Sequence, residues 1–429
     1  MGLTIGKAKE IVADAVSKSL NHIIDRSIDI PIDVKKIVSL IGPRRAGKTS
    51  VCFQLIKQLR NEVEAHRLLY VNFEDDRFFP VELSDMDTLI QTYYSTYPEN
   101  KEVQVWFFFD EVQEVPHWEK FIRRLNDQEN CRIYITGSSS TLLSRELSTT
   151  LRGRTLTYEI FPLSFKEFLS FKEIQTDTHS SKGKSILQHQ LARYIRQGGF
   201  PELIFLEEQF HRPTLHEYLN LMLYKDLTER FGIRNPHLIK YLLRFCLINL
   251  SKPISINKLY HDLKSQGYKV GKNTVYDYLN YLEEAFVIFR VSKWSTSIRE
   301  QSINPDKVYA IDQGFKYMLT GEGDEGRILE SVIFMALRRI GLSPNYWVGK
   351  QEVDFYIEQN TLINVSLELS KESTRNREIE GLREAMEKTG IQHSILVTFA
   401  EEDEISIDQG TIHIVQARDF LLNVESYIY

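Results

Sequence analysis

The sequence predicts an α/β protein in three parts: a first domain around a mainly parallel sheet, a mainly helical middle domain, and a second α/β domain at the C-terminal end. The order of patterns predicts this class. Apolar runs of strand length alternate with helical patterns over residues 1–175 and again over 306–429, whereas residues 187–300 are helical apart from a short strand near their end. A chain of 429 residues is long enough for each domain to have its own core.

Residues 1–30 are expected to form a lead-in helix at the start of the first domain. Its predicted strands cover residues 37–41, 68–73, 103–109 and 131–136. The uninterrupted apolar run 105–109 is typical of a central strand that is covered on both faces. A helix is predicted over 50–59, because its apolar residues recur on one face.

Between the first strand and this helix, residues 42–49 match G-x-x-x-x-G-K-[ST] at every fixed position. The two glycines let the backbone wrap around an anion, so that successive N–H groups point at phosphate oxygens at the start of a helix. Lys48 is predicted to reach the β- and γ-phosphates, and the Thr49 hydroxyl to ligate Mg²⁺. We therefore expect ATP and Mg²⁺ as ligands, with ATP held by the loop residues Gly42, Pro43, Arg44, Arg45, Ala46, Gly47, Lys48, Thr49 and Ser50.

Two carboxylates, Asp110 and Glu111, follow directly on the strand 103–109. An Asp at this place can hold Mg²⁺ with its hydration shell, and the following Glu can act as the catalytic base that polarises the attacking water. The pair comes after the phosphate-binding loop with one strand between them, which strengthens the signal. We predict a metal site at Thr49 and Asp110, with Lys48 and Glu111 as catalytic residues.

Polar and basic residues after the fourth strand give weaker signals. Ser138 is predicted to touch the γ-phosphate or to position water, although a plain turn is an open alternative. Either Arg152 or Arg154 is predicted to stabilise transition-state charge with its guanidinium, within the chain or from a neighbouring subunit. Of the two, Arg154 is our choice. For both arginines a role as surface charges stays open, as it does for Arg44 and Arg45 in the loop.

Several motifs occur in a fixed order along the chain, at Gly42–Thr49, Asp110–Gln113 with Trp118, Thr136–Ser139, Leu151–Arg154, Phe161–Phe168 and Gly198–Pro201. This order resembles that of AAA-superfamily ATPases from archaea and bacteria that carry a C-terminal domain of uncertain function. The resemblance covers nearly the whole chain. It implies a P-loop NTPase domain in which the loop binds the phosphates, Asp110 binds Mg²⁺, Glu111 is the base and Ser138 is the sensor.

Residues 238–295 are predicted to form three helices and a short strand, the pattern of a winged helix-turn-helix. The strand 286–291 would be the wing, and basic residues near it, such as Arg290, would add phosphate contacts. Acidic neighbours make the basic footprint thin, so double-stranded DNA binding and a protein-contact role both stay open. The residues expected to touch DNA from the third helix and the turn before it are Lys269, Lys272, Asn273 and Tyr276.

The C-terminal domain carries Glu330 on a predicted helix, Asp354 on a strand, and a further strand from Leu362 to Leu369. This order resembles the restriction-endonuclease-like fold PD-(D/E)xK, in which acids hold Mg²⁺ and a lysine helps to activate water. Ten residues after Asp354, where Glu-x-Lys is expected, stand Asn364, Val365 and Ser366. We therefore expect a degenerate binding or structural module, with Glu330 and Asp354 as a nuclease remnant.

The composition limits the classes of binding partner and the compartment that are expected for this protein. The net charge of −6 excludes a global basic field, and no apolar run approaches the length of a membrane span, so no membrane partner is expected. The three cysteines are far apart, which is typical of a reducing compartment and argues against zinc and disulfides. Without a secretory signal pattern either, the protein is expected to be cytoplasmic. Oligomerisation stays open.

The leading hypothesis is an ATP-binding, Mg²⁺-dependent ATPase whose nucleotide state controls the winged-helix and nuclease-like domains, in DNA-associated regulation. One alternative is an ATP-gated DNA nuclease that uses Glu330, Asp354 and Glu368. Another is a switch that binds nucleotide without hydrolysing it and signals through protein partners.

Overall fold

The computed structural model describes residues 2–20, 23–138, 151, 153–321, 323–357 and 360–429. The chain forms two compact units, Met1–Ile160 and Phe161–Tyr429. The predicted α/β class is confirmed, with a parallel five-stranded sheet in the first part and a further sheet in the C-terminal part. The three-domain division, with boundaries near residues 175 and 300, stays a prediction.

Helices and strands alternate in the first unit. They are α1 (Ile5–Ser17), β1 (Ile37–Ile41), α2 (Lys48–Leu59), β2 (Leu68–Asn72), α3 (Leu83–Thr96), β3 (Val105–Asp110), α4 (Trp118–Gln128), β4 (Cys131–Gly137) and β5 (Thr155–Glu159). The lead-in helix is shorter than predicted, because α1 ends at Ser17 and residues 23–36 contain no helix or strand. Pro31 lies in this segment, where it fixes its own φ and disfavours helix at the preceding residue.

All strands of the first sheet run parallel, in the order β2-β3-β4-β1-β5. Both β1 and β3 are buried along their whole length, which explains their apolar sequences. Phe108 of β3 stacks on Tyr134 of β4, with ring centroids 4.6 Å apart, in a core that includes Val51 and Leu55 of α2. Because the strands are parallel, the segments after β1, β3 and β4 lie at one edge of the sheet.

The second unit begins with helices and a small sheet. Its elements up to residue 320 are α5 (Phe165–Phe171), α6 (Ser181–Gln197), α7 (Glu208–Leu221), α8 (Pro236–Ile248), β6 (Pro253–Ile254), α9 (Ile256–Ser265), α10 (Lys272–Glu284), β7 (Ile288–Val291), α11 (Ile298–Ile303), β8 (Asp306–Ala310) and α12 (Gly314–Thr320). A π-helical turn, Met222–Glu229, continues α7. The three strands pair antiparallel in the order β6-β8-β7.

The strand predicted as a wing is shorter than expected, and most of its residues are buried. It begins at Ile288, because Phe286 adopts a left-handed conformation with φ of 56° just after α10. Three of the four residues of β7 are buried. This strand therefore belongs to the core of the unit.

The C-terminal part of the second unit is built on a six-stranded sheet. Its elements are α13 (Glu325–Arg339), β9 (Asn345–Val348), β10 (Glu352–Ile357), β11 (Thr361–Ser366), α14 (Glu372–Thr389), β12 (His393–Thr398), β13 (Asp403–Ile407), β14 (Gly410–Gln416), α15 (Ala417–Leu422) and α16 (Val424–Ile428). The strand order is β13-β14-β12-β11-β10-β9, with β11, β12 and β14 parallel and the other pairs antiparallel. No helix within the described ranges is long and apolar enough to span a membrane.

Candidate functional site

The loop between β1 and α2 needs glycine at both of its fixed glycine positions. Gly42 has φ of 151°, and a Cβ there would lie 2.0 Å from the carbonyl oxygen of Ile160. Gly47 has φ of 98° and stands immediately before the first residue of α2. Only glycine adopts these conformations without strain, so the backbone can turn its N–H groups inward at the start of the helix.

Lys48, the first residue of α2, turns back over this loop. Its side chain is 4 % exposed, and its Nζ donates hydrogen bonds to the carbonyl oxygens of Gly42 and Pro43, each at 3.1 Å. The same Nζ lies 3.6 Å from Oε1 of Glu111. The ammonium is thus held at the loop by groups that an incoming phosphate can replace, because phosphate is a stronger acceptor for a cation than a carbonyl.

Asp110 ends β3 with a carboxylate that is almost fully buried. Its Oδ2 accepts hydrogen bonds from Thr49 Oγ1 and from the Tyr70 hydroxyl, each at 2.7 Å, and its Oδ1 accepts one from the Thr136 hydroxyl. The neighbouring oxygens of Thr49 and Asp110 are the hard donors that Mg²⁺ prefers in proteins. The residues present therefore fit a magnesium ion.

Glu111 adopts a left-handed conformation, with φ of 51° and ψ of 47°, immediately after β3. Its backbone N–H donates to Thr136 Oγ1 at 2.9 Å, and its Oε2 accepts a hydrogen bond from Gln113 Nε2 at 2.5 Å. Burial alone would raise the pKa of Glu111, but the Lys48 ammonium and the Gln113 amide lower it below its usual value. The carboxylate is therefore ionised at neutral pH, the form that a general base requires.

Three residues at this site were missed by the sequence reasoning. Tyr70 and Thr136 hold Asp110, and Arg26 donates from Nη1 to the carbonyl oxygen of Ala46 at 2.8 Å with its side chain buried. Thr136 had a signal, since it is a polar residue in an apolar strand. Tyr70 and Arg26 had none, because their contacts depend on strand register and on an irregular segment.

Three further residues of the predicted ATP-binding set, Arg44, Arg45 and Ser50, contact other residues or lie at the surface. Arg44 forms an ion pair with Glu74, with Nη1 and Oε1 2.7 Å apart. Arg45 has φ of 66° and is exposed, as is Ser50. Ser138 directly follows β4 and is buried, at the same edge of the sheet as Asp110. Its predicted part in catalysis stays a prediction.

Arg154 lies at the opposite edge of the sheet. Its carbonyl oxygen accepts a hydrogen bond from the N–H of Ile37, the first residue of β1, at 2.8 Å, and its Nε lies 3.3 Å from Asp127 Oδ1. Since the phosphate-binding loop follows the last residue of β1, the structure does not bring Arg154 to this loop within the chain. A role from a neighbouring subunit stays a prediction, and Arg152 lies outside the described residues.

The helix predicted to touch DNA presents its polar face to solvent. Val275, Leu279 and Leu282 of α10 are buried. Arg290 does not supplement this face freely, because its guanidinium is 2.7 Å from Glu283 Oε2 and also donates to Asn280. The four predicted contact residues are all exposed: Lys269, Lys272, Asn273 and Tyr276.

The predicted nuclease remnant is brought together, and a lysine that the sequence reasoning missed lies in it. Lys307 Nζ lies 2.9 Å from Glu330 Oε1 and 2.8 Å from Asp354 Oδ1. Asn364 does not take a carboxylate's place there, since its amide bonds the Asp354 N–H and Glu378 Oε2. Glu368, the third acid of the alternative nuclease hypothesis, is exposed and lies beyond β11, which ends at Ser366 and not at Leu369 as predicted, so the alternation of the strand does not extend to it.

Two families match the chain. Residues 34–169 match the family described as "AAA domain", and residues 188–326 match a "Domain of unknown function (DUF8612)". The uncharacterized protein MJ1544 of Methanocaldococcus jannaschii is 37 % identical over 413 residues, which cover 93 % of this chain and 90 % of that protein. An uncharacterized protein of Haemophilus influenzae is 27 % identical, covering 91 % of this chain and 94 % of its own length.

Among solved structures, the Walker-type ATPase PABY2304 of Pyrococcus abyssi is similar to 74 % of this chain and 95 % of its own. Its sequence identity to this chain is 14 %, and the TM-score is 0.43.

Proposed function

Because this chain belongs to the AAA-superfamily P-loop ATPases, in one family with protein MJ1544 of Methanocaldococcus jannaschii, we propose that it binds ATP with Mg²⁺ at its glycine loop and hydrolyses it. The observation that supports this proposal most is the convergence of Lys48, Thr49, Asp110 and Glu111 at one edge of the first sheet. An anion cradle, a cation, a metal ligand pair and an ionised base are the groups that phosphoryl transfer to water requires.

Each residue has a distinct part in the proposed reaction. Lys48 moves its hydrogen bonds from the carbonyls of Gly42 and Pro43 to the β- and γ-phosphates of bound ATP. Thr49 and Asp110 hold the Mg²⁺ ion, which when bound neutralises charge on the phosphates. Glu111 orients the attacking water and accepts its proton, while Gln113 holds the carboxylate through Oε2.

Tyr70→Phe is expected to lower kcat about 5-fold and to raise the Mg²⁺ concentration needed for half-maximal turnover, because Asp110 loses a hydroxyl donor worth about 1 kcal/mol. Phosphate release measured across a Mg²⁺ titration tests this. Tyr134→Phe is the matched control, since it also removes a hydrogen-bonded tyrosine hydroxyl, but one that donates to the carbonyl oxygen of Pro31. Equal Mg²⁺ curves for both variants would show that Tyr70 does not position Asp110.

We further propose that the nucleotide state is coupled to binding of double-stranded DNA by the winged-helix segment. The exposed Lys269 and Lys272 beside the exposed Asn273 and Tyr276 support this, because a polar, positively charged helix start is the part of such a motif that enters a groove. With Arg290 held by Glu283, few phosphates are neutralised. The salt dependence of DNA binding should therefore be shallow, with a log–log slope of about −2 to −3.

The experiment is ATP turnover with and without duplex DNA at two salt concentrations. DNA should raise turnover, and the higher salt should reduce the stimulation without changing turnover in the absence of DNA. Lys269→Ala with Lys272→Ala should abolish the stimulation, whereas the matched pair Lys258→Ala with Lys264→Ala, on the exposed side of α9, should retain it. Turnover that is indifferent to DNA would reject the coupling and favour a switch that acts on proteins.

A further inference from the structure

A lysine fills the carboxylate cluster of the C-terminal part. Lys307, on β8, has no exposed side-chain surface. Its Nζ lies 2.7 Å from Glu352 Oε1, 2.8 Å from Asp354 Oδ1 and 2.9 Å from Glu330 Oε1. The ammonium donates hydrogen bonds to Glu330 and Asp354 and forms an ion pair with Glu352, so three carboxylates surround it.

The carboxylates converge from separate elements. Glu352 and Asp354 are alternate residues of β10 and therefore share one face of the six-stranded sheet, whereas Glu330 comes from α13. Lys307 belongs to neither element: it lies on the central strand of the three-stranded sheet, where its neighbours are Val291 and Pro253. Acids from two separate elements therefore surround one centre, and an ammonium occupies that centre.

Electrostatics keep the lysine charged. Burial lowers the pKa of Lys307, but Asp354 and Glu330 raise it well above its usual value. For Glu330, burial and the charge of Asp354 raise the pKa, although the Lys307 ammonium opposes them. Tyr309 adds a hydrogen bond to the same Oε1 of Glu330 at 2.7 Å. The acids are thus crowded enough to repel one another, and the ammonium offsets that repulsion.

The cluster is accessible from outside. A cleft of about 550 Å³ is lined by Glu330, Glu352, Asp354 and the guanidinium-bearing residues Arg327 and Arg377. Glu352 is 39 % exposed, so a small cation from solvent has a path to the carboxylates. Within the described ranges, no group of His, Cys, Asp and Glu side chains is arranged to hold a metal ion.

We propose that the Lys307 ammonium is the permanent counter-cation of this carboxylate cluster, standing where a divalent metal ion would, and that the cluster binds a divalent cation only when the ammonium is removed. The native cluster then recruits no metal. In addition, Lys307 ties the sheet formed by β6, β7 and β8 to α13 and β10 by charge, in the way that a structural metal joins separate elements.

Thermal unfolding of the full chain with and without Mn²⁺, in the absence of nucleotide, tests the proposal. In wild type, Mn²⁺ should cause no change in the unfolding midpoint that depends on Asp354. Lys307→Met should lower the midpoint by about 5 °C or more, because it leaves buried acids without a cation. Mn²⁺ should restore at least about half of this loss, and adding Asp354→Asn should remove the restoration, which separates it from Mn²⁺ bound near Asp110.

Two results would overturn the proposal. The first is that Mn²⁺ raises the unfolding midpoint of wild type and that Asp354→Asn abolishes this increase, since the ammonium would then not exclude the metal. The other is a Lys307→Met variant that responds to none of Mn²⁺, Mg²⁺ and Ca²⁺. Should that variant not fold, Lys307→Met with Glu330→Gln carries one acid fewer and is expected to fold. Direct Mn²⁺ binding to it, followed by electron paramagnetic resonance, then decides: binding that is lost when Asp354→Asn is added supports the proposal, and the absence of such binding rejects it.

Discussion

Glu111→Gln is expected to lower kcat for ATP hydrolysis by about 100-fold or more, with ATP affinity within about 3-fold of wild type. The amide keeps the size of the side chain but cannot accept the proton of the attacking water. In the native site Lys48 and Gln113 keep the carboxylate ionised, with a pKa below its usual value. Phosphate release at saturating ATP, together with equilibrium binding of ATP, measures both quantities.

The matched control for this variant is Glu102→Gln. Glu102 is an exposed carboxylate just before β3, at the opposite end of the strand that delivers Glu111. The turnover of Glu102→Gln should equal that of wild type. If Glu111→Gln turned over ATP as fast as this control, Glu111 would not be the base, and water activation would have to come from another group.

Lys48→Ala is expected to weaken ATP binding by roughly 10- to 150-fold and to reduce turnover further. Hydrogen bonds to a charged group contribute about 1.5–3 kcal/mol, and the Lys48 ammonium is already placed at the loop by its bonds to Gly42 and Pro43. Equilibrium titration with a fluorescent ATP analogue in the presence of Mg²⁺ measures the affinity.

Lys57→Ala provides the comparison on the same helix. Lys57 lies in the last turn of α2, is partly exposed, and pairs with Asp25 at 3.4 Å. Its removal takes away one positive charge from α2 without touching the loop, so ATP affinity should change by less than about 2-fold, given the small effect of exposed charges. Equal affinities for the two alanine variants would show that the loop is not where ATP binds.

Strands β1 to β4 of the first sheet could be predicted closely because most of their residues are buried, whereas β5, all of whose residues are half-buried, was not predicted. The apolar runs of β1 to β4 are continuous and are bounded by polar residues, so the predicted strand 37–41 has the bounds of β1 and the others differ by one or two residues. The loop and the Asp110–Glu111 pair followed from spacing alone. The meeting of these groups follows from parallel strands, whose carboxyl ends share one edge of the sheet.

Contacts that depend on register or on distant segments could not be predicted. Tyr70 reaches Asp110 because β2 pairs with β3 so that Asn72 is opposite Asp110, a register that no local pattern specifies. Arg154 was placed by its motif near the phosphates, but the parallel pairing of β5 with β1 puts it at the amino end of β1.

The lysine of the C-terminal cluster shows the same limit. The PD-(D/E)xK motif has its lysine two residues after an acid, and this sequence has no lysine at the corresponding position after Asp354. Lys307 enters from another sheet, 47 residues before Asp354 in the chain. Only the packing of that sheet against α13 and β10 brings it to the carboxylates.

The most direct test of the account is a crystal structure of the chain with Mg²⁺ and a non-hydrolysable ATP analogue. We predict the triphosphate in the loop of residues 42–49, with Lys48 Nζ moved from the carbonyl oxygens of Gly42 and Pro43 to the phosphates, and with Thr49 and Asp110 at the metal. A saturating analogue bound elsewhere, with Lys48 still donating to both carbonyls, would contradict the account.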